Sequence, residues 1–257
     1  MMEHERREIP MSERRPIGDV ILGMRDPREM TKEEFEKSPD ILFHGSATPL
    51  EFRPVFNFRD DEYLRENDGS TTLGNGFYTT SSREDAECYS GVRKSQGETR
   101  QFVSEVLPFN ARVLDLRWKD DKSKNAAVPT ELAKAWTEYF SQYLKTRKPR
   151  ENTWLGSMIE QMETDYPNFL QRALKEDSID LRVLLQTSPH PKLQSKNLPS
   201  PVWSLLFSEF MISQGYDGLI YNEGGEGWNA NDATRVFYNL KKIGTFESWQ
   251  KGEGYDE

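Results

Sequence analysis

Cysteine and histidine are almost missing from this sequence. The single cysteine, Cys88, excludes an internal disulfide and fits a reducing compartment such as a cytosol. The three histidines, His4, His44 and His190, stand far apart in sequence from one another, so no zinc-ligand spacing exists and no metal is expected. Long apolar runs are missing as well. Nothing approaches the roughly 18 residues that a membrane-spanning helix needs, and the opening MMEHERREIPMSERRPIGD is dense in charge, with no apolar segment of the Sec-signal kind. Lysine and arginine number 34 against 43 acidic residues, a net charge of −9, and the basic residues are spread singly. Sequence-independent phosphate binding needs clustered cations, so nucleic acid is not the expected partner.

What is present suffices for one large domain, or one domain with an insertion: 257 residues, 35% hydrophobic and 12% aromatic. Residues 1–38 read as a polar, flexible leader broken by Pro10, Pro16 and Pro27, with one short helix beginning at Thr31. ILFHG (41–45) is an apolar run too short for a helix and ended by glycine, hence a buried strand. Residues 46–75 form a long loop, a length that often carries function. GFYTT is a strand running into a helix over SSREDAECYS, with Ser81 or Ser82 as cap and Glu84 and Asp85 in the favourable first turn. QFVSEVLPF (101–109) and ARVLDLR (111–117) predict a hairpin-like pair.

Between about 128 and 200 the period becomes helical, with Leu132, Trp136, Tyr139, Phe140, Tyr143 and Leu144 on one face. Further helices are expected near 153–164, 167–176 and 179–187, and KTRKPR (145–150) reads as a solvated connector. After the proline-rich stretch 188–201, residues 202–215 form an apolar helix stopped by Gly215. YDGLIY is a turn into a strand, with Asp217 as a turn residue; NEGGEGWNAND is a loop and ATRVFYN a strand. Strands, helices and strands in that order predict an α+β fold: a core over 39–124 and 199–257, with a helical insertion or lobe over 125–198.

Three of these segments carry chemistry together: FHGS with His44, the stretch from Gly76, Phe77 and Tyr78 to Tyr89, and YDGLIY followed by ATRVFYN. They resemble the ADP-ribosyltransferase superfamily, in the His-Tyr-Glu branch of diphtheria-type toxins and poly(ADP-ribose) polymerases. There a histidine followed by Gly and Ser or Thr lies on the first core strand, matched by His44, Gly45 and Ser46. A Gly-aromatic-Tyr strand then enters a helix bearing a second tyrosine eleven positions on, matched by Gly76, Phe77, Tyr78 and Tyr89, with Ala86 three residues before. The resemblance covers roughly residues 40–117 and 200–245.

The resemblance implies two packed β-sheets around an NAD cleft, with NAD as co-substrate. His44 would bond the adenosine ribose, the Gly45 backbone would hold the carboxamide with Ser46 beside it, and Tyr78 and Tyr89 would sandwich the nicotinamide. A cationic ring between aromatic faces gains ~0.5–2 kcal/mol per face. One of Arg53, Arg59 and Arg65, with Arg59 the candidate, would pair with the pyrophosphate. The late strand departs from the family: Thr234 stands where the catalytic glutamate is expected. That glutamate stabilises an oxocarbenium charge, a task for an anion, which Glu223, Glu226 or Asp232 in the preceding loop would supply in its place.

The expected activity is therefore transfer of single ADP-ribose units to a protein side chain with release of nicotinamide. By analogy the chain would be a bacterial effector, a toxin-like virulence factor delivered into a host cell by a specialised secretion system, with ubiquitin one candidate acceptor. The alternatives are an inactive NAD- or ADP-ribose-binding or scaffolding module, and an NAD glycohydrolase.

Overall fold

The computed structural model describes residues 9–10, 13–46, 73, 76–91, 102–146, 181, 201–222 and 233–251. Nine strands are formed there: β1 (Pro16–Leu22), β2 (Leu42–Ser46), β3 (Phe77–Thr79), β4 (Phe102–Pro108), β5 (Ala111–Trp118), β6 (Asp121–Asn125), β7 (Gly218–Tyr221), β8 (Thr234–Phe237) and β9 (Ile243–Gly244). Helices are α1 (Lys32–Glu36), α2 (Arg83–Gly91), α3 (Thr130–Thr146), α4 (Pro201–Ser213) and α5 (Phe246–Gln250). The first sheet runs β1-β5-β7-β8-β3 with β6 paired to β5; the second runs β2-β4-β9. The fold is α+β, and among the described strands only β5 and β7 pair in parallel.

β5 shows why the first sheet is central. Its alternation sends Ala111 and Val113 to one face and Leu114 and Leu116 to the other, and both faces are buried. The Ala111 face meets the second sheet through Leu42, Val106, Ile220, Phe237 and Ile243. The Leu114 face receives the helices: Trp136 and Phe140 of α3, one helical turn apart, pack on Phe207 and Phe210 of α4. In its described part the middle segment therefore buttresses the sheet through α3. A third small core, Met30, Phe35, Leu107 and Trp249, backs the second sheet.

The described residues depart from the sequence reading in three places. The polar leader is not uniformly flexible, because Pro16–Leu22 forms β1 and pairs along β5 from Trp118 to Ala111. Half-burial and a bulge at Pro16/Gly18, with Gly18 at φ 94, hid its alternation. The expected β4–β5 hairpin is absent. β4 pairs β2 and β9, while β5 pairs β1, β6 and β7. Asn110, at φ 44 with its N–H on the Gly23 carbonyl at 2.8 Å, turns the chain from one sheet to the other. β6, β9 and α5 carried too little hydrophobic pattern to be seen. The helices expected near 153–164, 167–176 and 179–187 lie outside the described residues, save for Leu181, which is buried in the helical cluster.

Candidate functional site

Among the described residues one antiparallel backbone bridge joins the two sheets. Phe43 and Thr80 exchange both backbone bonds, at 2.8 and 3.0 Å, and there β2 lies beside β3. β3 in turn pairs β8, with Tyr78 opposite Val236. The three motif-bearing strands thus stand side by side in the order β2, β3, β8. Alternate residues of an antiparallel strand direct their N–H and C=O to opposite sides. Gly45, two residues beyond Phe43, therefore aims its pair toward β3, where the bridge has ended. Among the described residues no strand takes up these two groups.

Gly45 is also where α2 crosses β2. A Cβ there would lie 2.8 Å from the Ala86 carbonyl carbon, nearer still to its oxygen, and 3.0 Å from the Ser90 nitrogen. Only glycine permits this approach. α2 is held in place at its start, where Ser82 Oγ accepts the Asp85 N–H at 3.1 Å, and by Arg83 on Glu105 at 2.7 Å. Tyr89 lies in α2 between Ala86 and Ser90, so its main chain adjoins Gly45; its ring lies outside what is described.

His44 stacks on Phe77, ring centroids 4.3 Å apart and planes 26° from parallel. Its Nδ1 lies 2.7 Å from the Tyr78 carbonyl, which can only accept. Nδ1 therefore carries the hydrogen, and in the neutral ring Nε2 offers a lone pair. Burial pushes the pKa of His44 below its usual 6.5, against the opposing pull of that carbonyl. A neutral His44 is thus an acceptor for a hydroxyl.

Tyr78 points the other way. Alternation places Phe77 on the inter-sheet face, while the partly buried Tyr78 packs on the helical cluster with Val236. Its hydroxyl accepts the Leu73 N–H at 2.9 Å, and Tyr238 donates its hydroxyl to the Leu73 carbonyl at 2.6 Å. Gly76 allows this arrangement, since a Cβ there would meet Val236 Cγ1 at 2.6 Å and Tyr238 Cδ1 at 3.0 Å.

The structure therefore brings His44, Gly45 and Phe77 together at the split, with Ser46 closing β2 and Tyr78 on the opposite face beside it. Thr234 opens β8 opposite Tyr221; it is 2% exposed and belongs to the Tyr78–Val236 face rather than to that of His44. Glu223, Glu226, Asp232, Arg53, Arg59 and Arg65 lie outside the described residues. Asn222 is fixed: Asn125 grips its backbone through both its amide atoms, at 2.8 and 2.9 Å. Asp217 is a structural hub, accepting the Arg112 N–H at 2.9 Å and the Asn239 amide at 2.7 Å.

Sequence reasoning missed Phe77 as the ring under His44, although it lies in the quoted motif, and missed Tyr238 and Leu73. Only the two tyrosine bonds reveal Leu73, whose neighbours in sequence carry no pattern.

Among the described residues no three of His, Cys, Asp and Glu gather as metal ligands. No helix there is long and apolar enough to cross a membrane. No family model matches the chain, and no match is found among curated proteins or solved structures.

Proposed function

We propose that this chain binds NAD in the split between β2 and β3 and transfers one ADP-ribose unit to a protein side chain. The observation that carries the reading is the parting of the strands after Phe43–Thr80, with the Gly45 backbone pair turned into the gap. An N–H and a C=O side by side match the acceptor and donor of a primary carboxamide. His44, neutral with Nε2 available, accepts from a ribose hydroxyl on the inter-sheet side. Tyr78 and, by the resemblance, Tyr89 would sandwich the nicotinamide, and with Tyr78 on the face opposite His44 the two ends of NAD lie on opposite faces of the split. Ser46, two residues on from His44, lies on the same face of β2.

In the reaction the nicotinamide–ribose C–N bond breaks and its electron pair neutralises the pyridinium ring. The anomeric carbon gains a bond from the acceptor, whose proton passes to a base. A buried neutral Thr234 is unsuited to stabilising the positive charge. That role falls to a carboxylate of Glu223, Glu226 or Asp232, and an arginine such as Arg59 neutralises the diphosphate. The acceptor is a protein, with ubiquitin the first to be tested.

Thr234 also favours a second reading, a module that holds NAD or ADP-ribose without chemistry. Incubation of the chain with radiolabelled NAD and a cell lysate, with and without purified ubiquitin, tests both. Labelled protein bands that vanish in His44→Ala and Tyr89→Ala support transfer. Free ADP-ribose alone indicates hydrolysis, and bound but unconsumed NAD indicates the module. Full labelling in both variants overturns the site.

A further inference from the structure

Leu73 is fully buried, and its N–H and C=O are claimed by two tyrosine hydroxyls rather than by a strand. Buried backbone groups must find partners, yet this solution ties Leu73 to two particular rings. Tyr238 is itself immobilised. It is 8% exposed, its N–H bonds the Asp217 carbonyl at 2.8 Å, and its ring meets Phe207 of α4 edge-on at 6.2 Å and 89°. Tyr78 is only partly buried and packs against the helical cluster. Its hydroxyl accepts from the Leu73 N–H, in the peptide that adjoins, across the Leu73 Cα, the one whose C=O Tyr238 binds.

We infer that Tyr238 is a positioning residue for the ring-binding side of the split: through Leu73 it sets where the Tyr78 ring stands. This rests on the NAD reading for its ligand, the nicotinamide ring, but the mechanical link from Tyr238 to Tyr78 does not. Burial holds the Tyr238 hydroxyl well above its usual pKa, so it remains a donor throughout the physiological range. Gly76 completes the device, because its missing side chain is what lets β3 close on the Tyr238 ring.

Two measurements on Tyr238→Phe test it, with Tyr78→Phe as the second variant. The first places 3-fluorotyrosine at position 78 and records its fluorine resonance without ligand. Loss of the Tyr238 hydroxyl shifts or splits that resonance; an unchanged resonance overturns the link. The second measures NAD affinity by calorimetry. Tyr238→Phe weakens it roughly five- to tenfold, Tyr78→Phe does the same, and the double variant is no weaker than either. A shifted resonance with unaltered NAD affinity overturns the positioning role while leaving the link intact. Failure of the unmodified chain to bind NAD overturns the proposed function, and with it the assigned ligand, while the resonance still decides the link.

Discussion

Gly45→Ala is the sharpest perturbation of the account. Its new methyl would meet the α2 main chain at Ala86 and Ser90, inside 3.0 Å of the Ala86 carbonyl, whereas ordinary contact begins at 3.4 Å. Neither neighbour is a flexible side-chain tip that can swing aside. Relief requires α2 to slide off β2, loosening the burial of Ala86 and Ser90, 1% and 2% exposed. Overpacking of this kind costs about 1–3 kcal/mol, and backbone against backbone belongs at the upper end. For a chain of this size that lowers the melting temperature by roughly 5–10 °C in a calorimetric scan. Gly18→Ala is the control. Nothing stands within 4 Å of its Cβ, and the sole penalty is φ 94, a strain of about 1 kcal/mol. Equal melting temperatures for the two variants, or a Gly45→Ala protein as stable as the parent, would refute the packing of α2 on β2.

Other outcomes follow from the same geometry. Because the folded state lowers the pKa of His44, its contribution is fully present above the usual 6.5 and is lost as pH falls through the lowered value. The stability difference between the parent and His44→Gln, measured by urea unfolding, therefore shrinks between about pH 7.5 and about pH 5; a constant difference would contradict the neutral ring. Arg117→Leu removes the guanidinium that holds Asp115, a 1% exposed carboxylate, at 2.6 and 2.9 Å, and leaves it the backbone N–H of residue 117 at 3.0 Å. Urea unfolding should show a loss of about 3–5 kcal/mol, and a loss under 1 kcal/mol would mean the pair behaves as a surface ion pair.

Elements with their own apolar period were legible in the sequence. ILFHG, GFYTT, GLIY and TRVF are strands, and the 132-136-140 spacing is a helix, each within a residue or two of its observed bounds. Pairing was not legible. QFVSEVLPF and ARVLDLR look like a hairpin because alternation specifies a face, not a partner, and the turn at Asn110 sends them to different sheets. The same limit applies at the site. FHGS and GFY could be found as motifs, and the glycines in both turn out to be points of close backbone approach. That His44 would rest on Phe77, and that Tyr78 would turn to Leu73, depends on which strands meet and on which face. Asp217 reads as a turn residue in YDG, but its hub role spans from Arg112 to Asn239, out of reach of any local pattern.

Whether the split holds NAD is decided by calorimetric titration of NAD into the unmodified chain and into His44→Ala. Saturable binding at one site is expected, competed by free nicotinamide and weakened at least about tenfold when the His44 ring is removed. No binding to the unmodified chain, or binding indifferent to His44, would contradict it.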